Sequence, residues 1–192
     1  MEALAAAGAF AACLQLADYG TGFARFLYSF AENAAAAGED LERFANRLQL
    51  FSNTTELAQT TLAKHCSDYP KAPAVVFMNR AGIISHVEKG ASMLRKRLKT
   101  TKQTVKGMGS NWALVTSIKW FLKKPAIMEL LPEMDGLQTS LSLLMAIANY
   151  EALKERERNT TSTAELARLA KERYDIESIT PVLFGPRKKS PN

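Results

Sequence analysis

Histidine and cysteine occur only twice each in these 192 residues, and that scarcity excludes most metal and nucleophile chemistry. His65 and Cys66 are adjacent and point to different sides of a helix, while Cys13 and His86 have no partner at ligand spacing. Both histidines read as structural, and both cysteines as small core residues in a reducing compartment rather than a disulfide pair. No Gly-x-Ser-x-Gly elbow is present, and no Ser or Cys lies in a His/Asp arrangement. Gly107-Met108-Gly109 lacks the flanking strand and helix of a dinucleotide fingerprint and reads as a hinge. Glu129 and Glu133 are four apart on one helix, but no Glu-x-x-His accompanies them. They read as acids favouring a positive helix end. The expectation is therefore no enzyme, no cofactor, no metal and no small-molecule substrate.

A secretory leader is not expected either, because Met1-Glu2 opens the sequence without a positive n-region. The expected location is cytoplasmic, where the acceptor patterns at Asn53 and Asn159 go unused. Long uncharged runs are absent too. Ala3 to Ala17 falls short of the roughly 20 residues that span a bilayer, and extension to Ala24 meets Asp18 at a cost of about 2.5–3.5 kcal/mol. Ala5, Ala6, Ala7, Gly8, Ala11 and Ala12 would allow close helix approach. A helix buried in its own bundle describes this segment better.

Proline and glycine are thin over the first three quarters, and alanine and leucine dominate, which favours helices. Segment one spans Ala3–Ala34, with Phe23, Phe26, Leu27 and Phe30 on one face and a kink or division expected at Gly20 and Gly22. Segment two begins after Gly38, with Glu39 and Asp40 at its positive end. Leu41, Phe44, Ala45, Leu48, Phe51, Thr55, Ala58 and Leu62 mark its inner face, and Pro70 and Pro73 stop it. Segment three, Ala74–Thr101, carries Phe77, Ile84, Val87, Ala91, Leu94 and Leu98. Lys102 to Ser110 reads as a basic, flexible connector. Segment four is Trp112–Lys124. Segment five runs from Pro125, suited to a first turn, to about Arg158, with a kink or break expected at Pro132. Ser162-Thr163-Ala164-Glu165 is a capping box that starts a short helix to about Tyr174. Thr180–Asn192, with Arg187-Lys188-Lys189, reads as a disordered basic tail.

Helices apolar on one side can bury those faces only against each other. The expected fold is all-α: an up-and-down bundle of four to five antiparallel helices over residues 1–158, with a short extra helix and tail over 159–192.

The net charge of +6 is not spread evenly. Residues 1–70 carry −4, residues 71–124 carry +11, and residues 125–192 carry −1. The central block comprises Arg95, Lys96, Arg97, Lys99, Lys102 and Lys106, then Lys119, Lys123 and Lys124. It is a candidate contact for a membrane surface or another anion, against the plainer reading of a solvated face. Nucleic acid is disfavoured, since no helix-turn-helix, finger or aromatic platform accompanies the block.

One junction is distinctive: Ile118-Lys119-Trp120-Phe121-Leu122-Lys123-Lys124, then Ile127, Leu130, Leu131, Leu137, Ser140, Leu141 and Leu144. With the order of helices over about residues 3–153, it resembles the fungal N-terminal domains of signal-transducing NTPases with many repeats, the HeLo-like group. It is similar in particular to the subgroup named after the azaphilone pigment cluster protein. The resemblance implies a helical bundle with Trp120, Phe121, Ile127, Leu130, Leu131, Leu137, Leu141 and Leu144 in its core. It further implies a signalling or cell-death role in immunity or heterokaryon incompatibility. Such a domain would act by self-association or on a partner helical domain, in some relatives by inserting the first helix into a membrane. Asp18 and the Gly20/Gly22 pair depart from an inserting helix. No nucleotide-binding module follows within the 192 residues, which leaves a fragment or a stand-alone member. The alternatives are an adaptor that binds a partner without touching lipid and, less favoured, a nucleic-acid-binding domain.

Overall fold

The computed structural model describes residues 2–69, 72–73, 76, 82–109 and 113–179. Six α-helices account for nearly all of them: α1 (Glu2–Ala31), α2 (Gly38–Asp68), α3 (Ile83–Met108), α4 (Ala113–Met128), α5 (Leu130–Asn159) and α6 (Thr163–Ile179). A short 3-10 turn, Ala35–Ala37, joins the first two. No strand occurs among the described residues, so the all-α bundle is the fold. Phe77, Trp112 and the basic tail from Thr180 onward lie outside the described residues.

α1, α2, α3 and α5 form the bundle. α1 packs on α2 and α3, and α5 packs on the same two, so α2 and α3 take opposite corners. Contacts give the directions. Tyr28 donates to Asn46 at 2.6 Å and Gly20 faces Ser52, so α1 and α2 are antiparallel. Arg95 meets Gln15 and Lys102 meets Gly22, so α1 and α3 run parallel. Arg47 bonds Asp135 at 2.9 and 3.0 Å and His65 meets Glu151, so α2 and α5 also run parallel. Chain direction alternates as expected of an up-and-down bundle, but two of its packed pairs are not the antiparallel neighbours anticipated. α3, though next in the chain, therefore lies diagonally across from α2, where a tight hairpin would have kept the two side by side.

The core follows helical periodicity. On α2, Leu41, Phe44, Ala45, Leu48, Phe51, Thr55, Ala58 and Leu62 are all buried, and Ile84, Val87, Ala91, Leu94 and Leu98 answer from α3. The interior, where the four helices meet around Cys13, Leu62, Val87 and Leu144, leaves a void of only about 20 Å³. That is room for about one water.

Several boundaries differ from expectation. α1 is not divided at Gly20 and Gly22. Gly20 instead permits close approach: a Cβ there would lie 2.2 Å from the Ser52 hydroxyl oxygen, whose hydrogen bonds to the Leu48 carbonyl (2.8 Å). Lys102 to Met108 are not a connector but the last turns of α3, because Val105 and Met108 extend the buried stripe from Leu98. Pro125 lies inside α4 rather than opening α5. Its position is exposed, so water can satisfy the carbonyl that the missing N–H leaves open. The break expected at Pro132 falls three residues earlier, at Glu129, and Pro132 sits in the first turn of α5. A proline there has no N–H for the Met128 carbonyl, which ends the ladder at that residue. α6 starts where the capping box placed it, with the Leu166 N–H donating to the Ser162 carbonyl (2.9 Å). It runs beyond Tyr174 and packs on α5 through the buried Leu169.

Gly20→Ala should destabilise the fold by about 1–3 kcal/mol through overpacking against Ser52. Gly22→Ala, with open space around its Cβ, should be neutral or stabilise by up to about 1 kcal/mol. Urea melts of the two variants check the contrast. Thr55 is fully buried and its hydroxyl has no hydrogen-bond partner among the described residues, so Thr55→Val should raise the urea midpoint, by about 1 kcal/mol in stability.

Candidate interaction surface

The bundle places the central positive block in three settings. The first is internal. Arg97 on α3 pairs with Glu129 (3.7 Å) and with Glu133, so those two acids clamp a neighbouring helix as well as lying at a helix start. Lys124 donates to Asp40 at 2.6 Å. Lys102 lies 3.4 Å from the Gly22 carbonyl oxygen and 5.6 and 5.5 Å from the ring centres of Tyr19 and Phe26, a cation–π arrangement. The second setting is the groove between α1 and α3, lined by Arg95, Lys96 and Lys99. Lys106 is exposed near the end of α3. The third is α4, where Lys119 and Lys123 face solvent.

α4 is built inside out. Its body-facing side carries Thr116, Ser117, Trp120 and Ile127, all buried. The Ser117 hydroxyl donates to the Ala34 carbonyl at 2.5 Å. The Trp120 side chain is fully buried, and its indole N–H reaches the Asp40 carboxylate at 3.5 Å. Asp40 thus receives Trp120 and Lys124 together. The hydrogen bond from Lys124 holds its carboxyl below the usual value. Trp120 and the charges of Lys124 and Arg43 add to that lowering, against burial, which raises it.

The outward side of α4 holds the large apolar residues. Leu114 is 69% exposed, Ile118 53%, Phe121 52% and Leu122 75%, with Val115 beside them at 36%. The spacing i, i+1, i+4, i+7, i+8 makes one continuous stripe, and Lys119 and Lys123 edge it. Among the residues expected in the core, Trp120, Ile127, Leu130, Leu141 and Leu144 are buried. Leu131 and Leu137 pack half-buried against them. Phe121 is a correction: it lies a helical step of about 100° from Trp120, and the tryptophan takes the inward place. The resemblance places both in the core, and it gives no sign of the exposed stripe. Thr116 and Ser117, small enough to pack closely, share the inward side with Trp120.

Of the other chemistry-bearing residues, His65 and Cys13 are buried, Cys66 is half-buried and His86 is exposed. His65 is buried between α2 and α5, with Nε2 3.3 Å from the Glu151 carboxylate and its ring 5.2 Å from that of Tyr69. Cys13 and Cys66 are free thiols, and burial pushes Cys13 up to about 11 and raises Cys66. No group of three His, Cys, Asp or Glu side chains able to hold a metal ion occurs among the described residues. No helix among them is long and apolar enough to cross a membrane. α1 turns Leu16, Phe23, Ala24 and Leu27 fully inward.

No protein-family model, no curated protein and no solved structure matches this chain.

Asp40 is the hinge of α4's attachment and supplies a pH test. Its folded-state pKa lies below the ordinary 3.8. The stabilisation is therefore complete above that value and lost as pH falls through the lower folded one. Asp40→Asn should cost about 1 kcal/mol at neutral pH and flatten the acid limb of a pH–stability profile followed by tryptophan fluorescence.

Proposed function

We propose that this chain is a non-enzymatic helical signalling module of the kind its sequence resembles, the HeLo-like N-terminal domains of fungal STAND-type immune and incompatibility systems. It works by helix–helix association, and α4 is the face it uses. The observation that supports this reading is the exposed stripe Leu114, Val115, Ile118, Phe121 and Leu122, carried on a helix whose inner side is tied to the body by Ser117, Trp120 and Lys124. A stripe of that width matches a bundle seam and buries itself by accepting a second amphipathic helix.

Charge selects the partner. Two copies meeting stripe to stripe across a two-fold would bring Lys119 and Lys123 of both onto one seam, a like-charge arrangement. A partner helix with acidic edges pairs with the same lysines. The reading is therefore an adaptor or effector contact with an acidic amphipathic helix, in preference to symmetric self-pairing. The second reading is peripheral contact with an anionic membrane. It is supported by the same lysines, since an apolar stripe with a basic border also suits a headgroup interface.

Titration with a synthetic leucine-seamed peptide helix carrying Glu at its flanks, beside a Lys-flanked version, tests the first reading. The Glu-flanked peptide should bind, more weakly as salt rises, and the Lys-flanked one should not. Ile118→Glu with Leu122→Glu should abolish binding and leave stability within about 0.5 kcal/mol, both sites being exposed. Indifference to peptide charge, or binding unaffected by the double variant, refutes it. Dimerisation in sedimentation velocity would point to a second copy, and flotation with anionic vesicles alone to a membrane.

A further inference from the structure

The groove between α1 and α3 plays no part in that reading. It is open to solvent and offers about 450 Å³, within the range of small-molecule sites. Gln15 and Tyr19 enter from α1 with the small Ala12, and Ser92, Arg95, Lys96 and Lys99 enter from α3. The two helices run parallel, so a whole face of each converges on the same space. The lining holds three cations, two hydroxyls and an amide, and no carboxylate.

Arg95 is positioned in advance. One of its N–H groups donates to the Gln15 side-chain oxygen at 2.7 Å, which fixes the guanidinium plane and leaves its other donors for a ligand. Arg95, Lys96 and Lys99 have no carboxylate within ion-pair distance among the described residues, whereas Arg97 and Lys124 on the same block do. Lys102, the next cation along the α3 face, lies over the Tyr19 ring and adds positive field at one end of the groove. Burial raises the Tyr19 phenol, against the nearby charge of Arg95, so its hydroxyl remains a donor at neutral pH.

We infer that this groove binds a phosphate-bearing anion, with Arg95 as a forked donor and Lys96, Lys99 and the Tyr19 hydroxyl closing around the oxygens. Planar guanidinium and paired ammonium groups suit phosphate oxygens, which accept several charge-assisted hydrogen bonds at once. A soluble polyphosphate and a phosphomonoester lipid headgroup share this chemistry. The site is independent of α4.

Calorimetric titration with sodium tripolyphosphate, beside flotation with phosphatidylcholine vesicles with and without phosphatidic acid, tests the inference. Saturable binding in either arm is expected, and the arm that responds identifies the source. Arg95→Ala with Lys99→Ala should weaken it about tenfold or more. Lys64→Ala with Lys171→Ala removes the same charge from exposed positions elsewhere and should change affinity by no more than about twofold. Absence of saturable binding in both arms, binding untouched by the groove variant, or equal loss in both double variants overturns the site, the last by reducing it to net charge.

Discussion

Trp120 can be buried in only one way, and the character of the surface follows from it. Its indole is the largest fully buried side chain among the described residues, and its N–H needs a polar partner inside the fold. Asp40, in the first turn of α2, provides that partner and takes Lys124 as well. Once tryptophan faces the body, the helical period fixes every other residue of α4. Thr116, Ser117 and Ile127 turn inward, and Leu114, Ile118, Phe121 and Leu122 turn out. The apolar stripe is thus imposed by the anchor, and no rotation of α4 hides it without exposing Trp120.

The positive block is divided by the same packing. Arg97 lies on the α3 side that meets α5, where Glu129 and Glu133 neutralise it. Arg95 and Lys99 lie on the side that meets α1, whose facing residues are Gln15, Tyr19 and Ala12. A run of basic residues on one helix is therefore neutralised by carboxylates on one side and lines an open groove without a carboxylate on the other. Net charge alone does not separate the two.

The inner faces of α2 and α3 were legible in the sequence because Leu41 through Leu62 and Ile84 through Leu98 keep a clean helical period among polar neighbours. α1 gave less, since alanine on every side blurs the stripe. Gly20 looked like a breaker when it is a contact point, a distinction that depends on Ser52 32 positions away. Local rules placed a helix boundary at Pro125. The chain delayed it to Glu129 because an exposed proline is tolerable one turn before an end, and Pro132 cannot serve the Met128 carbonyl. The parallel pairing of α1 with α3 depends on which helices take opposite corners of the bundle, which no periodicity encodes. Reading Phe121 as core hid the stripe, although the neighbouring Trp120 already claimed that face.

Magnitudes decide which apolar surface is available for contact. Freeing α1 to enter a bilayer would strip Leu16, Phe23 and Leu27, all fully buried, from the bundle. At about 1.5–3 kcal/mol for each large side chain, those three alone approach the 5–15 kcal/mol that holds a typical domain together. The α4 stripe is already in water, and covering it disturbs no packing in the resting bundle. A partner that covers Leu114, Ile118, Phe121 and Leu122 gains hydrophobic energy that folding has left unused. Insertion of α1 must first repay what folding gained. In the folded chain α4 therefore offers apolar surface without loss of packing, whereas any route through α1 requires a second event that opens the bundle.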